Sequence, residues 1–111
     1  MAAVSVSPEA RKDLIAIRKY ILEQLNNPQA AARVIRELRR AVEGLAAFPG
    51  RGRPLDALIP VHTDYRYIPC EHYCIFYLES EESVLVVRIL HERQDCMRAL
   101  LGAPLVEEKN D

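Results

Sequence analysis

"QLNNPQAA", residues Gln24 to Ala31, decides how this chain folds. Upstream of it, Ala10, Leu14, Ile17, Ile21 and Leu25 recur at steps of three or four. That spacing predicts one apolar stripe of a helix ending near Asn26. Downstream, Ala31, Ile35, Leu38, Val42 and Leu45 draw a second stripe, which stops before Phe48-Pro49-Gly50. Between the stripes, Asn27-Pro28 is a helix start: asparagine caps the first N–H groups and proline fits the first helical position. Two amphipathic helices with almost no linker fold back as an antiparallel hairpin. Both stripes then need a partner surface, and a sheet has to supply it.

The rest of the chain provides that sheet. Ala3 to Ser7, "AVSVS", is a short β-branched run and reads as a first strand. Ser7-Pro8 starts the first helix, with Glu9 where the helix dipole favours negative charge. Residues 48–64 hold three of the seven prolines and two of the four glycines, so they read as a loop, pinned by Phe48, Leu55, Leu58 and Ile59. Tyr65 to Pro69, Tyr73 to Glu79 and Val84 to Glu92 read as three strands, and Pro69 restricts the first of them to an edge or an end. "RQDCMRALLG" closes as one short helical segment with Gly102 as its stop. The expectation is an α+β fold: an N-terminal strand, an antiparallel helical hairpin packed on a small antiparallel sheet, and a short C-terminal helix. Residues 1–102 form the single domain, and the acidic stretch 103–111 is a disordered tail.

Bulk properties narrow the class. The chain has 111 residues, half of them hydrophobic, enough for one ordinary core. No apolar run approaches the roughly 20 residues that span a bilayer. "MAAVSVSPEARKD" lacks the basic-then-apolar order of a signal peptide. An odd set of three cysteines, Cys70, Cys74 and Cys96, then suggests reduced thiols in a cytoplasm. Net charge is −1, which does not advertise nucleic-acid binding. The tail carries −2 of it, leaving +1 on residues 1–102, where Arg33, Arg36, Arg39 and Arg40 form a charge run read as a solvated helix face.

Chemistry concentrates at the end of the last strand, "VVRILHERQD", Val86 to Asp95. Strict alternation puts Leu85, Val87 and Ile89 on the face that meets the helices and points Arg88 into an open concavity on the other. Cleavage of RNA at its own 2′-OH needs a base, an acid and cations that steady a charged phosphorane. His91 suits the proton transfers, and Arg93, Arg66 and Arg88 suit the phosphate, because a guanidinium grips it in two places. Alternation places His91 with Ile89, away from Arg88, so the set assembles only if the strand ends or bulges near Leu90. Arg88 has a second reading, as partner of a carboxylate such as Glu79. Arg51 and Arg53 sit in a glycine-rich loop able to cradle phosphate or an acidic segment, or simply solvated. Cys70, His72 and Cys74 have a C-x-H-x-C spacing unlike the usual zinc pairs, so no metal and no cofactor is expected.

"SPEARKDL", "NPQAAARVI", "FPGRGRPL", "YRYIPCEHYCIFYLES" and "VVRILHERQDCMRALLG" occur in an order that resembles the RelE/ParE superfamily of type II toxins, from about Val4 to Gly102. The resemblance implies a cytoplasmic growth inhibitor held inactive by a cognate antitoxin, with no membrane partner. It implies one of two mechanisms: RelE-like members enter the ribosome and cleave mRNA, and ParE-like members poison DNA gyrase without being nucleases. In the ribonuclease branch, Arg66 and Arg93 fall at typical cationic positions. Ile68, Cys74 and Ala99 stand where further cations and a tyrosine are common. Half of the nuclease set is therefore missing, and the ParE-like reading is preferred, with an inactive member that only binds its antitoxin as a third possibility.

Overall fold

The computed structural model describes residues 2–92, 94 and 96–102. Stretch 103–111, with Arg93 and Asp95, lies outside the described residues, and so does the expectation of a disordered tail. Strand β1 spans Ala3–Val6, and helices α1 (Pro8–Glu23) and α2 (Pro28–Gly44) follow it. Both helix starts are capped as their residues require. The Ser7 side chain accepts the Ala10 N–H at 3.0 Å, and the Asn27 side chain accepts the Ala30 N–H at 3.0 Å. Between them Asn26 takes φ 49°, a left-handed conformation that asparagine tolerates, and this turns the chain in very few residues.

Strands β2 (Arg53–Pro54), β3 (Tyr65–Cys70), β4 (Tyr73–Glu79) and β5 (Ser83–His91) complete one five-stranded sheet in the order β1-β5-β4-β3-β2. β1 is parallel to β5 and every other pairing is antiparallel. Short helix α3 (Cys96–Leu101) follows β5. Residues 48–64 are more ordered than a loop: they hold β2 and two single turns of 3-10 helix, Pro49–Arg51 and Leu55–Ala57. Of the four apolar side chains expected to pin them, Leu55 and Ile59 are buried, but Phe48 and Leu58 face solvent. Pro69 lies in β3 beyond the two residues that pair with β2, so its missing N–H breaks no ladder bond.

The sheet carries apolar clusters on both faces. On one face Ile17, Ile21, Val34, Leu38 and Val42 of the hairpin pack on Ile68, Ile75, Tyr77, Val84, Val86 and Ile89. On the other, Leu55 and Ile59 and Met97 of α3 pack on Tyr67, Phe76 and Leu90. The second face is thus covered over β3 to β5. It is open toward β1, where Ala3, Ser5 and Leu85 are exposed. Among the described residues no helix is long and apolar enough to cross a membrane.

The strict alternation expected for β5 fails in the middle of the strand. Phe76 pairs with Arg88 while Tyr77 pairs with Val86, so Val87 is an extra residue. Such a bulge resets which face each side chain occupies. Val84 and Val86 face the helices before it and Ile89 faces them after it, while Val87 packs on the second cluster. Because residues 84 to 90 are apolar on both faces apart from Arg88, no polar position marked the shift.

Arg88 therefore does not point into an open concavity. Its Nε and Nη2 donate to the two Asp13 carboxylate oxygens at 2.7 and 2.9 Å, and the Ile89 N–H donates to the same carboxylate at 2.9 Å. Three charge-assisted bonds converge on one group of α1. Among the described residues, no buried side-chain nitrogen or oxygen lacks a partner. Asp13→Ala strands the Arg88 guanidinium and the Ile89 amide together. Side-chain exposures of 27% and 14% leave some water at the pair, so the expected loss is about 2 kcal/mol rather than the larger figure of a fully buried pair. Urea unfolding reads this as a lower midpoint, and Asp13→Asn, which keeps one acceptor, should lose less.

Candidate functional site

Of the four residues considered for catalysis, the three that are described, Arg66, Arg88 and His91, do not form one constellation. Arg88 is held by Asp13. That hydrogen bond raises its pKa further above the ordinary arginine value, so its charge is fixed. Arg66 lies on β3 across from Tyr77. It donates to the Gly52 carbonyl at 2.7 Å and pairs with Glu79 at 3.3 Å, the carboxylate considered above for Arg88. His91 stands at the far end of β5, paired with Tyr73, which in turn pairs with Cys70. Arg66 is four residues from Cys70 along β3, so roughly 13 Å of strand separates its row from that of His91. As alternation suggested, His91 is on the helix side, where its ring meets Tyr73 edge-on at 5.4 Å. Arg93 lies outside the described residues.

Arg51 and Arg53 are exposed, and the Gly52 amide between them is already engaged. The Gly52 N–H donates to the Tyr77 hydroxyl at 2.9 Å, and that hydroxyl donates to the Pro49 carbonyl at 2.6 Å. A Cβ on Gly52 would come within 2.5 Å of the same hydroxyl, so glycine is required by this close approach. Burial raises the Tyr77 pKa, since the ionised phenolate would lose solvent there. The arginines of α2 are largely solvated. Arg36 and Arg40 share Glu37 at 3.5 and 3.6 Å, whereas Arg33 reaches across to pair with Glu71. Cys70 packs with the helix-side cluster and Cys74 with the opposite one, which splits the C-x-H-x-C stretch between faces. Among the described residues no three His, Cys, Asp or Glu side chains are placed to hold a metal ion.

A groove of about 740 Å³ lies between the hairpin and the end of the sheet. Ile17, Ile21, Val34 and Ile89 contribute its apolar part, Tyr20, Leu25 and Tyr73 its rings and open side, and Arg33, Glu71, His72, His91 and Gln94 a polar rim. Tyr20 and Leu25 are more than half exposed and join the apolar floor of the groove in one contiguous surface. One wall is the two-residue turn Glu71-His72 between β3 and β4. Both residues have positive φ, 54° and 69°, as a type I′ hairpin turn demands. Neither is glycine, so the turn is strained, and it is held from outside: Arg33 binds Glu71, and the Glu92 N–H donates to the His72 carbonyl at 3.0 Å. Sequence reasoning missed Asp13, Tyr20 and Tyr73 as site residues, because each also fits an ordinary helix or strand position. The reading of two strands only three residues apart, Tyr65 to Pro69 and Tyr73 to Glu79, was a usable signal for a tight turn, and the structure extends the first strand by one residue to Cys70.

This arrangement can be set beside known proteins. Residues 4–96 match the family model described as the ParE toxin of the type II toxin–antitoxin system parDE. The chain belongs to the ParE toxin family. It is 36% identical over 101 residues to Toxin ParE of Escherichia coli, covering 90% of this chain and 94% of that one. Identity to Toxin ParE1 of Mycobacterium tuberculosis strain H37Rv is 33% over 96 residues, covering 86% and 94%. The fold agrees with a solved structure described as the chromosomal ParDE TA system from P. aeruginosa, at a TM-score of 0.66 and 22% identity, covering 82% of this chain and 96% of that chain. The α+β architecture and the toxin reading taken from the sequence both hold, and of the two branches it is the ParE-like one to which this chain belongs.

In this ParE-family toxin, tyrosine burial makes a pH signature. Burial raises the pKa of Tyr77 and, helped by the neighbouring Tyr20, that of Tyr73. The folded state therefore holds both phenol protons more tightly than the unfolded chain does. Their contribution to stability is complete below about pH 10 and is lost as pH rises through the raised values. Urea midpoints should fall from pH 9 to pH 11. Tyr77→Phe should cost about 1–2 kcal/mol at neutral pH, from the stranded Gly52 amide and Pro49 carbonyl, and show a shallower alkaline fall.

Proposed function

We propose that this ParE-family toxin acts by binding DNA gyrase without chemistry of its own, and that a cognate antitoxin silences it by occupying the groove between hairpin and sheet. One observation carries the first half: the described cations that an mRNA nuclease would use are engaged in the fold, Arg88 by Asp13 and Arg66 by Glu79 and the Gly52 carbonyl. A phosphate would have to displace those carboxylates before it could be gripped. His91, lying on the helix side at the other end of the sheet, has neither cation in its row. We assign Arg66 and Arg88 to the fold. Arg93 remains the candidate for contact with the target, and the exposed Arg51 and Arg53 are further candidates. The matched relatives are named as ParE toxins, and the matched solved structure as a ParDE toxin–antitoxin system.

The groove supports the second half. An apolar floor with exposed Tyr20 and Leu25 and a rim of mixed charge suits the apolar face of a partner helix. Aromatic anchors of this kind carry most of the energy of an interface. Tyr20→Ala should weaken antitoxin binding by at least about tenfold while leaving the thermal midpoint of the toxin alone unchanged, because the removed ring is half exposed.

The target is tested with purified toxin, gyrase, ATP and supercoiled plasmid. The expected result is linear DNA trapped after detergent and protease treatment, lost in Arg93→Ala, with no codon-phased mRNA cuts in a translating extract. Codon-phased cuts that vanish in Arg93→Ala, with no effect on gyrase, would replace this reading with that of a ribosome-dependent nuclease.

A further inference from the structure

Two of the three cysteines pack against the same apolar cluster, on the face of the sheet that the groove does not use. Cys74 is on β4, cross-strand from Leu90, and packs on the second apolar cluster. Cys96 is the first residue of α3, and it packs on that same cluster beside Met97. Both are partly buried thiols. Cys70, by contrast, packs with the helix-side cluster, and the sheet stands between it and the other two.

We propose that Cys74 and Cys96 are a redox pair whose disulfide ties α3 to β4. A peroxide is the oxidant. One thiolate attacks a peroxide oxygen, the O–O bond breaks, and a sulfenic acid forms as water leaves. The second thiol attacks that sulfur, the S–O bond breaks, the S–S bond forms, and a second water leaves. Two thiols and one hydrogen peroxide thus give one disulfide and two waters.

Three features support the pair. The thiols share one apolar patch, so the resident α3 needs no change of face for the sulfurs to meet. Proximity shows in the electrostatics as well: burial raises the Cys74 pKa first, and the neighbouring Cys96 raises it further. Helix α3 is only six residues long and is attached to the sheet mainly through Met97, Ala99 and Leu100. A helix so short has little stability of its own, so a covalent tether changes its opening more than it changes the core.

The raised pKa makes Cys74 the poorer nucleophile near neutrality and suits it to the second step, attack on the sulfenic acid of Cys96. The disulfide acts on the segment between β5 and α3, and is independent of whether gyrase is the target.

Hydrogen peroxide treatment of the full chain, followed by mass spectrometry without reductant, tests the pair. Trypsin leaves Cys70 and Cys74 together in Tyr67–Arg88 and places Cys96 between Arg93 and Arg98, so Cys70→Ser is the form to map. The expected result is an intramolecular link between those peptides that forms in Cys70→Ser and is absent from Cys74→Ser and Cys96→Ser. Amide exchange in α3 should slow by at least about tenfold on oxidation and recover with dithiothreitol. The thermal midpoint without reductant should rise by more than about 5 °C. A disulfide through Cys70, disulfide-linked dimers only, or over-oxidised thiols without a link in the folded Cys70→Ser chain would each overturn the pair.

Discussion

Where β1 ends, α1 takes over the edge of β5, and the rest of the molecule depends on that handover. β1 pairs with β5 only as far as Val86. The next groups along that edge would be left without partners, next to a bulge. The start of α1 supplies them. The Ser7 N–H donates to the Val86 carbonyl at 2.9 Å and the Ser7 hydroxyl to the Val87 carbonyl at 2.8 Å, while Asp13 accepts the Ile89 N–H. Ser7 also caps α1. A single serine therefore ends a strand, starts a helix and closes the bulge. Since orphaned backbone groups each cost as much as a lost hydrogen bond, the helix can dock at one position and angle only. That position sets the hairpin over Ile75, Tyr77 and Ile89 and opens the groove at the far end.

Much of this was legible from residues alone, for physical reasons that differ by element. The hairpin was readable because Ser7-Pro8 and Asn27-Pro28 satisfy the first amides of each helix and the apolar stripes run at helical spacing. β3 to β5 were readable because β-branched and aromatic runs are separated by short polar turns. Strand β2 was not, since two residues of a proline- and glycine-rich segment carry no periodicity, and Gly52 beside them is held by side chains distant in sequence, its N–H by Tyr77 and its carbonyl by Arg66. The bulge was equally invisible. A strand apolar on both faces gives no polar position from which to count, so Leu85 and Val87 were assigned to the wrong face while Ile89 was assigned correctly.

The candidate site shows the same divide. Arg88 and Arg66 stood out in sequence because charge in a central strand is expensive, and that cost is compatible with either a catalytic or an internal partner. Sequence alone reaches the residue and stops short of the partner. The partner is decided by a carboxylate 75 positions away on α1 and, for Arg66, by Glu79. An arginine that satisfies its fork inside the protein has already spent the geometry that would grip phosphate.

The two faces of the sheet also divide the labour physically. The helix side carries the groove, whose exposed Tyr20 and Leu25 sit over a packed apolar floor. The opposite side carries the short α3 on a smaller cluster, with Cys74 and Cys96 at its margin. Strand β5 is apolar on both faces: Val84, Val86 and Ile89 enter one cluster, and Val87 and Leu90 enter the other. Its end is where they converge: His91 and Gln94 line the groove, and α3 begins at Cys96. A partner helix seated in the groove would press on the segment that leads into α3. By the same connection, a tether on α3 would limit how that segment yields.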